Sequence, residues 1–262
     1  MKPPLTYYGG KQQLSKTILS LIPKHSLYCE PFFGGGAVYF AKSPSPLEVL
    51  NDSNGELINF YRTLKTDFKS LQKRISRTLH SRNEHYRATV INSHPELFNA
   101  IERAWAIWVL ANQSFASKLN GSWGYDRTKN KSAYQLNSKR NAFTEVLLKR
   151  IENTQIECGD AIEVIKSRDS KTAFFYCDPP YFNSHKGHYK KYTEEDFTKL
   201  LEVLSRLKGK FLLSSYQSKI LSRYSKLFKW YSKKINMPIA ISTHPEVKKK
   251  RKIEVLTANY PI

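Results

Sequence analysis

A buried strand that stops abruptly at an acidic residue and two prolines lies at residues 174–181 of this chain. Its apolar, uncharged run at 174–177 predicts a strand that is covered on both faces. Asp178 follows, and Pro179 and Pro180 prevent the chain from continuing in a ladder strand or entering a helix at once. Open α/β sheets bind their ligands at the carboxyl ends of their strands. Asp178 is therefore predicted to lie at a ligand site.

The residues after this strand have the chemistry to hold an exocyclic amino group on a planar base. The Asp178 carboxylate and the Pro179 carbonyl can each accept one N–H of such an amine. Tyr181 offers a ring on which the base can stack. The alternative interpretation is a turn that happens to follow a strand.

The charge of the chain predicts a polyanionic partner. Its 262 residues include 43 Lys and Arg against 22 Asp and Glu, a net charge of +21, which is more than solubility requires. Nucleic acid is favoured over a membrane, because the sequence has neither a basic amphipathic helix with a large apolar face nor an 18-residue apolar run. The amino terminus lacks the apolar core of a signal peptide, which predicts a cytoplasmic protein of bacterial type. Three cysteines, each in or beside an apolar strand, are predicted to be buried free thiols: Cys29, Cys158 and Cys177.

A glycine-rich turn between a strand and a helix spans residues 27–40. Glycine is expected there because helix, strand and ligand converge where a β-carbon would collide. No Lys-Ser or Lys-Thr follows the glycines, so the turn is not a phosphate-binding P-loop. The pattern predicts a nucleoside-cofactor site on a Rossmann-like sheet. Upstream, the glycine-bearing loop 3–11 is either a capped turn or a second ligand loop, with Tyr7 and Lys11 beside the ligand.

Two further acidic residues follow predicted strands. Asp52 comes 16 residues after Gly36, near the spacing of about 20 at which such folds place a ribose-binding acid. Capping the next helix is the alternative, and we favour the ribose role. Asp160 follows the predicted strand 154–158. It is either a helix N-cap or an acceptor for the cofactor's adenine amine, and the sequence does not separate the two.

The chain changes character between residues 65 and 149. The segment 65–92 is basic and helical, and a helix is predicted from about 95 to 115, with Trp105 and Trp108 in its core. The stretch 114–141 loses periodicity and interleaves cations with aromatics, as a groove-entering hairpin would. A solvated loop is the alternative. The predicted recognition residues of this stretch are Lys118, Trp123, Tyr125, Arg127 and Lys129.

The strand–helix alternation resumes after residue 150. Helices are predicted at 194–207 and 217–227, and strands at 210–214, 230–237 and 252–259. The polar loop 182–192, with His185 and His188, is predicted to face phosphates rather than a metal. A run of cations at the turn before the last strand is predicted to contact phosphate, a solvated hairpin tip being the alternative: Lys248, Lys249, Lys250 and Arg251.

Together these motifs resemble the Dam-like DNA adenine N6-methyltransferases, from Pro3 to Tyr260. The resemblance implies an α/β, Rossmann-like S-adenosylmethionine-dependent methyltransferase sheet (1–64 and 150–262) with an inserted, mainly helical target-recognition domain (65–149). It implies catalysis at Asp178, Pro179, Pro180 and Tyr181 on a flipped adenine, without a metal. The implied residues of the S-adenosyl-L-methionine site are Tyr7, Lys11, Glu30, Pro31, Phe32, Gly34, Gly36, Asp52, Asp160 and Asp178.

The resemblance also implies partners and leaves alternatives. Double-stranded DNA is the expected partner, a cognate restriction enzyme is a candidate, and a monomer or weak dimer is expected. The family more often has Trp-Ala where this chain has Tyr7-Tyr8, and the segment 114–141 departs from the family's hairpin sequence. An N4-cytosine methyltransferase usually carries Ser in place of Asp178, and an RNA adenine methyltransferase usually carries Asn. A catalytically dead DNA-binding protein on the same fold is the alternative outside enzymology.

Overall fold

The computed structural model describes residues 1–182, 192–238 and 251–262 of the chain. The strands in these ranges are β1 (Leu27–Glu30), β2 (Leu47–Asn51), β3 (Gln155–Glu157), β4 (Ala173–Cys177), β5 (Lys210–Ser215), β6 (Tyr231–Pro238) and β7 (Arg251–Ala258). The α-helices are α1 (Ser15–Leu21), α2 (Ala37–Ala41), α3 (Gly55–Thr66), α4 (Phe68–Ser76), α5 (Arg82–Ser93), α6 (Ala100–Gln113), α7 (Lys131–Asn141), α8 (Glu145–Ile151), α9 (Ala161–Arg168), α10 (Glu194–Leu204) and α11 (Lys219–Leu227).

The strands form one mixed sheet in the order β3-β2-β1-β4-β5-β7-β6. Strands β2, β1, β4 and β5 are parallel, with Cys29 opposite Phe175 and Phe175 opposite Phe211. Strand β7 runs antiparallel to both β5 and β6. All five residues of β4 are buried, as expected of a central parallel strand that is covered on both faces. The sheet confirms the predicted α/β fold class.

The chain divides into two compact units. Unit 1 comprises residues 1–19, 34–44 and 54–158, and unit 2 comprises 20–33, 45–53 and 159–262. These bounds follow packing and differ from the functional division at 65–149, which stays a prediction.

Unit 1 is mainly helical, and α6 lies in its core. Trp105 and Trp108 on this helix are buried, and Trp105 Nε1 donates to Thr78 Oγ1 at 2.8 Å. Their predicted role in the core is confirmed. The predicted helix 95–115 is wrong at its start, because a capping box between Asn99 and Glu102 begins α6 at Ala100.

Unit 2 carries the apolar core of the sheet. Side chains from β1, β4 and β5 pack against α9 and α10, with Cys29, Phe175, Leu213, Ile165 and Leu201 buried. Such close packing holds the strands, and therefore their carboxyl ends, in fixed positions. In the described ranges, no helix combines the length and the apolar character needed to cross a bilayer.

Two local predictions from the sequence are wrong. The stretch 114–141 is not aperiodic throughout, because residues 131–141 form α7. Only Leu136 of α7 is buried, so the helix lacks the apolar stripe that sequence periodicity detects. Cys158 is exposed rather than buried, whereas Cys29 and Cys177 are buried. Cys158 follows the three-residue edge strand β3, which offers little cover.

Candidate active site and DNA-recognition surface

Strand β4 delivers the Asp178–Tyr181 motif to its carboxyl end, within unit 2. Cys177 is the last buried residue of the strand, Pro179 is buried, and Asp178, Pro180 and Tyr181 are half-buried. The motif therefore starts in the core and emerges at the position where open α/β sheets bind ligands. Burial raises the pKa of the Cys177 thiol, with the Asp178 charge adding to the effect. This thiol is protonated and inert at neutral pH.

The Tyr181 hydroxyl joins the motif to two neighbouring strands. It contacts Asp178 Oδ1 at 3.2 Å and Ser214 Oγ at 3.3 Å, and it donates to Glu254 Oε1 on β7. Its ring packs edge-to-face on Tyr216, with centroids 4.4 Å apart. Burial raises the pKa of Tyr181 well above its usual value, and the charges of Asp178 and Glu254 raise it further. The hydroxyl therefore keeps its proton at neutral pH. Stacking of a base on this ring stays a prediction.

Asn51 links the loops at the ends of three strands of the same sheet. Its amide Nδ2 donates to the carbonyls of Pro31 at 2.9 Å and Gly159 at 3.1 Å, and its Oδ1 accepts from Gly159 N at 2.9 Å. Its backbone carbonyl accepts from Phe33 N at 2.8 Å. Because the side chain is fully buried, these bonds set the loops that follow β1, β2 and β3. Sequence reasoning singled out the neighbouring Asp52 and missed this role of Asn51.

Replacing Asn51 by alanine should therefore destabilise the protein. Three hydrogen bonds are lost, and buried backbone groups keep no side-chain partner, which should lower the free energy of unfolding by about 3 kcal/mol. Urea denaturation measures the change. As a control, Asn59→Ala removes one bond, from Nδ2 to Ala100 O, in an exposed setting. It should cost under about 1 kcal/mol. Equal losses in the two variants would contradict the linking role of Asn51.

The acidic candidates of unit 2 differ in what they contact. Glu30 is buried and accepts from the Tyr28 hydroxyl at 2.5 Å. Asp52 is half-buried, and the N-cap of α3 is Asn54, so the capping alternative for Asp52 is wrong. Asp160 caps α9, with Oδ1 accepting from two backbone N–H groups, so its capping role is confirmed. The ribose role of Asp52 and the adenine role of Asp160 stay predictions.

Pro31 and Phe32 continue the chain from the end of β1. Pro31 is buried, and its carbonyl is one of the groups that Asn51 holds. Phe32 is half-buried, and its ring meets Tyr192 edge-on with centroids 6.5 Å apart. Both residues have defined positions in unit 2, and their cofactor role stays a prediction.

The glycine turn of unit 1 is shaped by Tyr7. A β-carbon at Gly34 would lie 3.2 Å from Tyr7 Cδ1, and one at Gly35 would lie 2.7 Å from Tyr7 Cβ. Gly34 and Gly36 also have positive φ angles of 50° and 66°, which favour glycine. The sequence argument expected helix, strand and ligand to converge at these glycines. In the structure the Tyr7 side chain is a close contact of Gly34 and Gly35, and the approach of a ligand stays a prediction. Lys11 is buried, and its Nζ donates to the Gly9 carbonyl at 3.2 Å.

A hairpin-like turn opens the predicted recognition stretch in unit 1. Phe115 N donates to Ser122 O at 2.7 Å, and Gly124 N donates to Gln113 O at 2.8 Å. The Gln113 side chain accepts from Ser81 N and donates to Leu79 O, at 3.1 and 2.9 Å. These bonds tie the turn to the start of α5.

The family comparison decides the class of protein. The model of the D12 class N6 adenine-specific DNA methyltransferases matches residues 7–253. This chain belongs to that family. The Dam-like resemblance that its motifs predicted is confirmed, and the chain is an adenine-specific DNA methyltransferase.

Named relatives agree with the family. A Type II methyltransferase of Lactococcus lactis subsp. cremoris is 28% identical and covers 83% of this chain and 82% of its own. The DNA N-6-adenine-methyltransferase of Escherichia phage P1 is 30% identical over 79% of this chain, which spans 29% of the phage protein. A Type II methyltransferase of Methanocaldococcus jannaschii is 26% identical, with 99% of both chains covered.

Two aromatic rings of the predicted recognition stretch form a stack with residues that precede it in the chain. Trp123 and Tyr125 stack with centroids 5.4 Å apart and an interplanar angle of 19°. The Arg82 guanidinium lies over both rings, 4.9 Å from the Trp123 centroid and 5.7 Å from that of Tyr125. His80 contacts Trp123 at 5.1 Å. Tyr125 is 52% exposed, so the stack forms part of the surface of unit 1.

The other predicted DNA contacts are less closely grouped. Arg127 and Lys129 are exposed and border a shallow cleft together with the stacked rings. Lys118 is half-buried, with its Nζ 5.3 Å from the Tyr8 ring centroid. Lys248, Lys249 and Lys250, the side chain of Arg251, and the loop with His185 and His188 lie outside the described residues. Sequence reasoning missed His80 and Arg82 as part of this surface, although the basic character of 65–92 was the available signal.

Proposed function

We propose that this enzyme transfers a methyl group from S-adenosyl-L-methionine to N6 of an adenine that has rotated out of duplex DNA. The observation that carries the proposal is the Asp178–Tyr181 motif at the end of β4, where two acceptors and an aromatic ring leave the core together. Extrusion of a base costs a few kcal/mol of unstacking and unpairing. Stacking on Tyr181, worth about 1–3 kcal/mol, offsets part of that cost.

The motif activates the amine by hydrogen bonding. The N6 lone pair is delocalised into the adenine ring, which makes the nitrogen a poor nucleophile. The Asp178 carboxylate and the Pro179 carbonyl each accept one N–H, which favours a more tetrahedral nitrogen with a localised lone pair. Pro180 fixes the backbone between these acceptors and Tyr181. When bound, S-adenosylmethionine supplies an electrophilic sulfonium methyl group. Positioning of the two reactants provides much of the rate.

The polar residues of each unit fit the proposed methyl donor. In unit 2, the half-buried Asp52 is not used as the cap of α3, and a carboxylate suits ribose hydroxyls. In the same unit, Phe32 offers an apolar ring, and Glu30 and Asp160 offer acceptors. In unit 1, Lys11 offers a cation for the amino-acid carboxylate, and Tyr7 offers a ring held against Gly34 and Gly35. The proposed cofactor residues of the glycine turn are Gly34 and Gly36.

Calorimetry with S-adenosylmethionine tests this assignment. Asp52→Ala should raise the Kd for S-adenosylmethionine at least about tenfold, close to 1.4 kcal/mol, because bonds to the ribose are lost. The exposed neighbour Ser53 gives the control variant Ser53→Ala, which should bind as the wild type does. If the wild-type chain fails to bind S-adenosylmethionine, the proposed donor is wrong. If Asp52→Ala binds unchanged, only the ribose role is wrong.

We propose that DNA binding uses two kinds of contact, cations on the phosphates and side chains that read the bases. Phosphate contacts by cations supply affinity, in keeping with the net charge of +21. The inserted region 65–149 supplies recognition, with Trp123, Tyr125 and Arg127 as its reading residues and Lys118 and Lys129 beside them. The run from Lys248 to Arg251 stays a predicted phosphate contact.

The biological setting is proposed from the relatives. Two of them are named Type II methyltransferases, which supports a restriction enzyme with the same target sequence as a partner. We propose that the chain acts on double-stranded DNA as a monomer or weak dimer, in the cytoplasm of a bacterial or phage-infected cell. Analytical ultracentrifugation with and without DNA distinguishes the two assembly states.

A further inference from the structure

Among the described residues, the Tyr181 hydroxyl contacts the side-chain oxygens of Asp178, Ser214 and Glu254. Asp178 Oδ1 lies 3.2 Å from the hydroxyl oxygen, Ser214 Oγ lies 3.3 Å from it, and Glu254 Oε1 is the nearest of the three. A hydroxyl donates only one hydrogen bond. The phenol can therefore donate a hydrogen bond to Asp178 or to Glu254, but not to both.

The surroundings of Glu254 decide where that proton goes. Glu254 lies on β7 with its side chain fully buried, and its Oε1 also accepts from Ser214 Oγ at 2.7 Å. A buried carboxylate depends on such donors, because the loss of a hydrogen bond to a buried charge is costly. The Ser214 proton is committed to Glu254 as well. The geometry thus directs both hydroxyl protons towards Glu254 and away from Asp178.

We propose that Glu254 is a positioning residue for methyl transfer, which accepts the phenolic proton of Tyr181 and so preserves Asp178 Oδ1 as an acceptor for the target amine. This inference rests on the proposed function, in which Asp178 holds the adenine N6 group. Without Glu254, the phenol would donate to Asp178, because an ionised acceptor forms the stronger hydrogen bond. Asp178 would then be partly saturated before the substrate arrives.

Two further observations fit this arrangement. Because the pKa of Tyr181 is raised, its hydroxyl stays protonated at neutral pH. It can therefore always donate a hydrogen bond to one of the two carboxylates. The edge-to-face contact with Tyr216, with ring centroids 4.4 Å apart, also restrains the Tyr181 ring. Glu254 therefore acts at the hydroxyl end of a ring whose face is proposed to receive the base.

A double-mutant cycle on the full-length enzyme tests the proposal. Glu254→Gln keeps the size of the side chain but replaces the ionised acceptor with a neutral one, so the phenol should turn to Asp178. We expect kcat to fall at least tenfold, with the Kd for S-adenosylmethionine unchanged within twofold. In the Tyr181→Phe background, whatever its own rate, Glu254→Gln should cost less than twofold, because no phenolic proton remains to be redirected.

The controls separate positioning from folding. Glu48 is another buried glutamate on the sheet, with Oε1 accepting from Ser45 N at 3.2 Å, and Glu48→Gln should leave kcat unchanged. If Glu254→Gln does not fold, Glu254→Asp tests the same point. It keeps the carboxylate but, with a shorter side chain, moves it away from the Tyr181 hydroxyl, and kcat should again fall. Equal losses in the two Tyr181 backgrounds, or a wild-type rate in Glu254→Gln or Glu254→Asp, would overturn the inference. A wild-type enzyme without transferase activity would instead overturn the proposed function.

Discussion

Replacing Asp178 by alanine is expected to lower kcat by at least about a thousandfold, roughly 4 kcal/mol of transition-state stabilisation. The carboxylate is the only ionised acceptor of the Asp178–Tyr181 motif, and the target amine needs it to localise its lone pair. DNA affinity should fall less than tenfold, because phosphate contacts supply most of it. Single-turnover methyl transfer together with DNA binding at one fixed salt concentration measures both quantities.

Two control variants sharpen this test. Asp178→Asn retains one acceptor oxygen at the same position, and we expect it to keep more activity than Asp178→Ala. Glu195→Ala removes an exposed carboxylate that pairs with Lys199 at 2.9 Å on the surface of α10, and it should leave kcat unchanged. Turnover near the wild-type rate in Asp178→Ala would remove Asp178 from the mechanism.

Arg127→Ala is expected to relax or change the DNA sequence that becomes methylated. Arg127 is exposed next to the Trp123–Tyr125 stack, and a side chain that reads a base edge is worth about 1–3 kcal/mol of discrimination. That range corresponds to a change of about 5-fold to 150-fold in preference between target sequences. Mapping of modified bases in an expressing host reports the sequence, and calorimetry should show unchanged binding of S-adenosylmethionine.

A cation elsewhere on the surface serves as a control for Arg127→Ala, and variants of the stacked rings test the same recognition role. Lys226 on α11 is exposed and lies outside the inserted region 65–149, so Lys226→Ala should keep the wild-type target sequence. Trp123→Ala and Tyr125→Ala should act in the same direction as Arg127→Ala. An unchanged target sequence in all three variants would show that the stretch is not the reader. Specificity would then have to come from the basic helices of 65–92.

The sequence could predict features whose signal is local in the chain. The apolar run of β4 and the prolines after it are adjacent, so the position of Asp178 at a strand end followed directly. The buried tryptophans of α6 followed from helical spacing in the same way. In contrast, α7 buries only Leu136, and a polar helix of this kind has no periodic signal to detect.

Contacts between distant parts of the chain could not be predicted. Tyr181 and Glu254 are 73 residues apart, and Asn51 and Gly159 are 108 residues apart. Such pairs depend on the strand order, which local propensity does not specify. The position of Arg82 over Trp123 likewise depends on how the turn at 113–124 folds back onto α5. The sequence identified the chemistry of the motif, and the fold added the residues that orient it.

The most direct measurement is transfer of tritium from methyl-labelled S-adenosylmethionine to unmethylated double-stranded DNA by the purified wild-type chain, followed by separation of the nucleosides. We expect the label in N6-methyladenine alone, with no transfer to RNA and none by Asp178→Ala. Label in N4-methylcytosine, label in RNA alone, or no incorporation by the wild-type chain would contradict methylation of adenine N6 at Asp178.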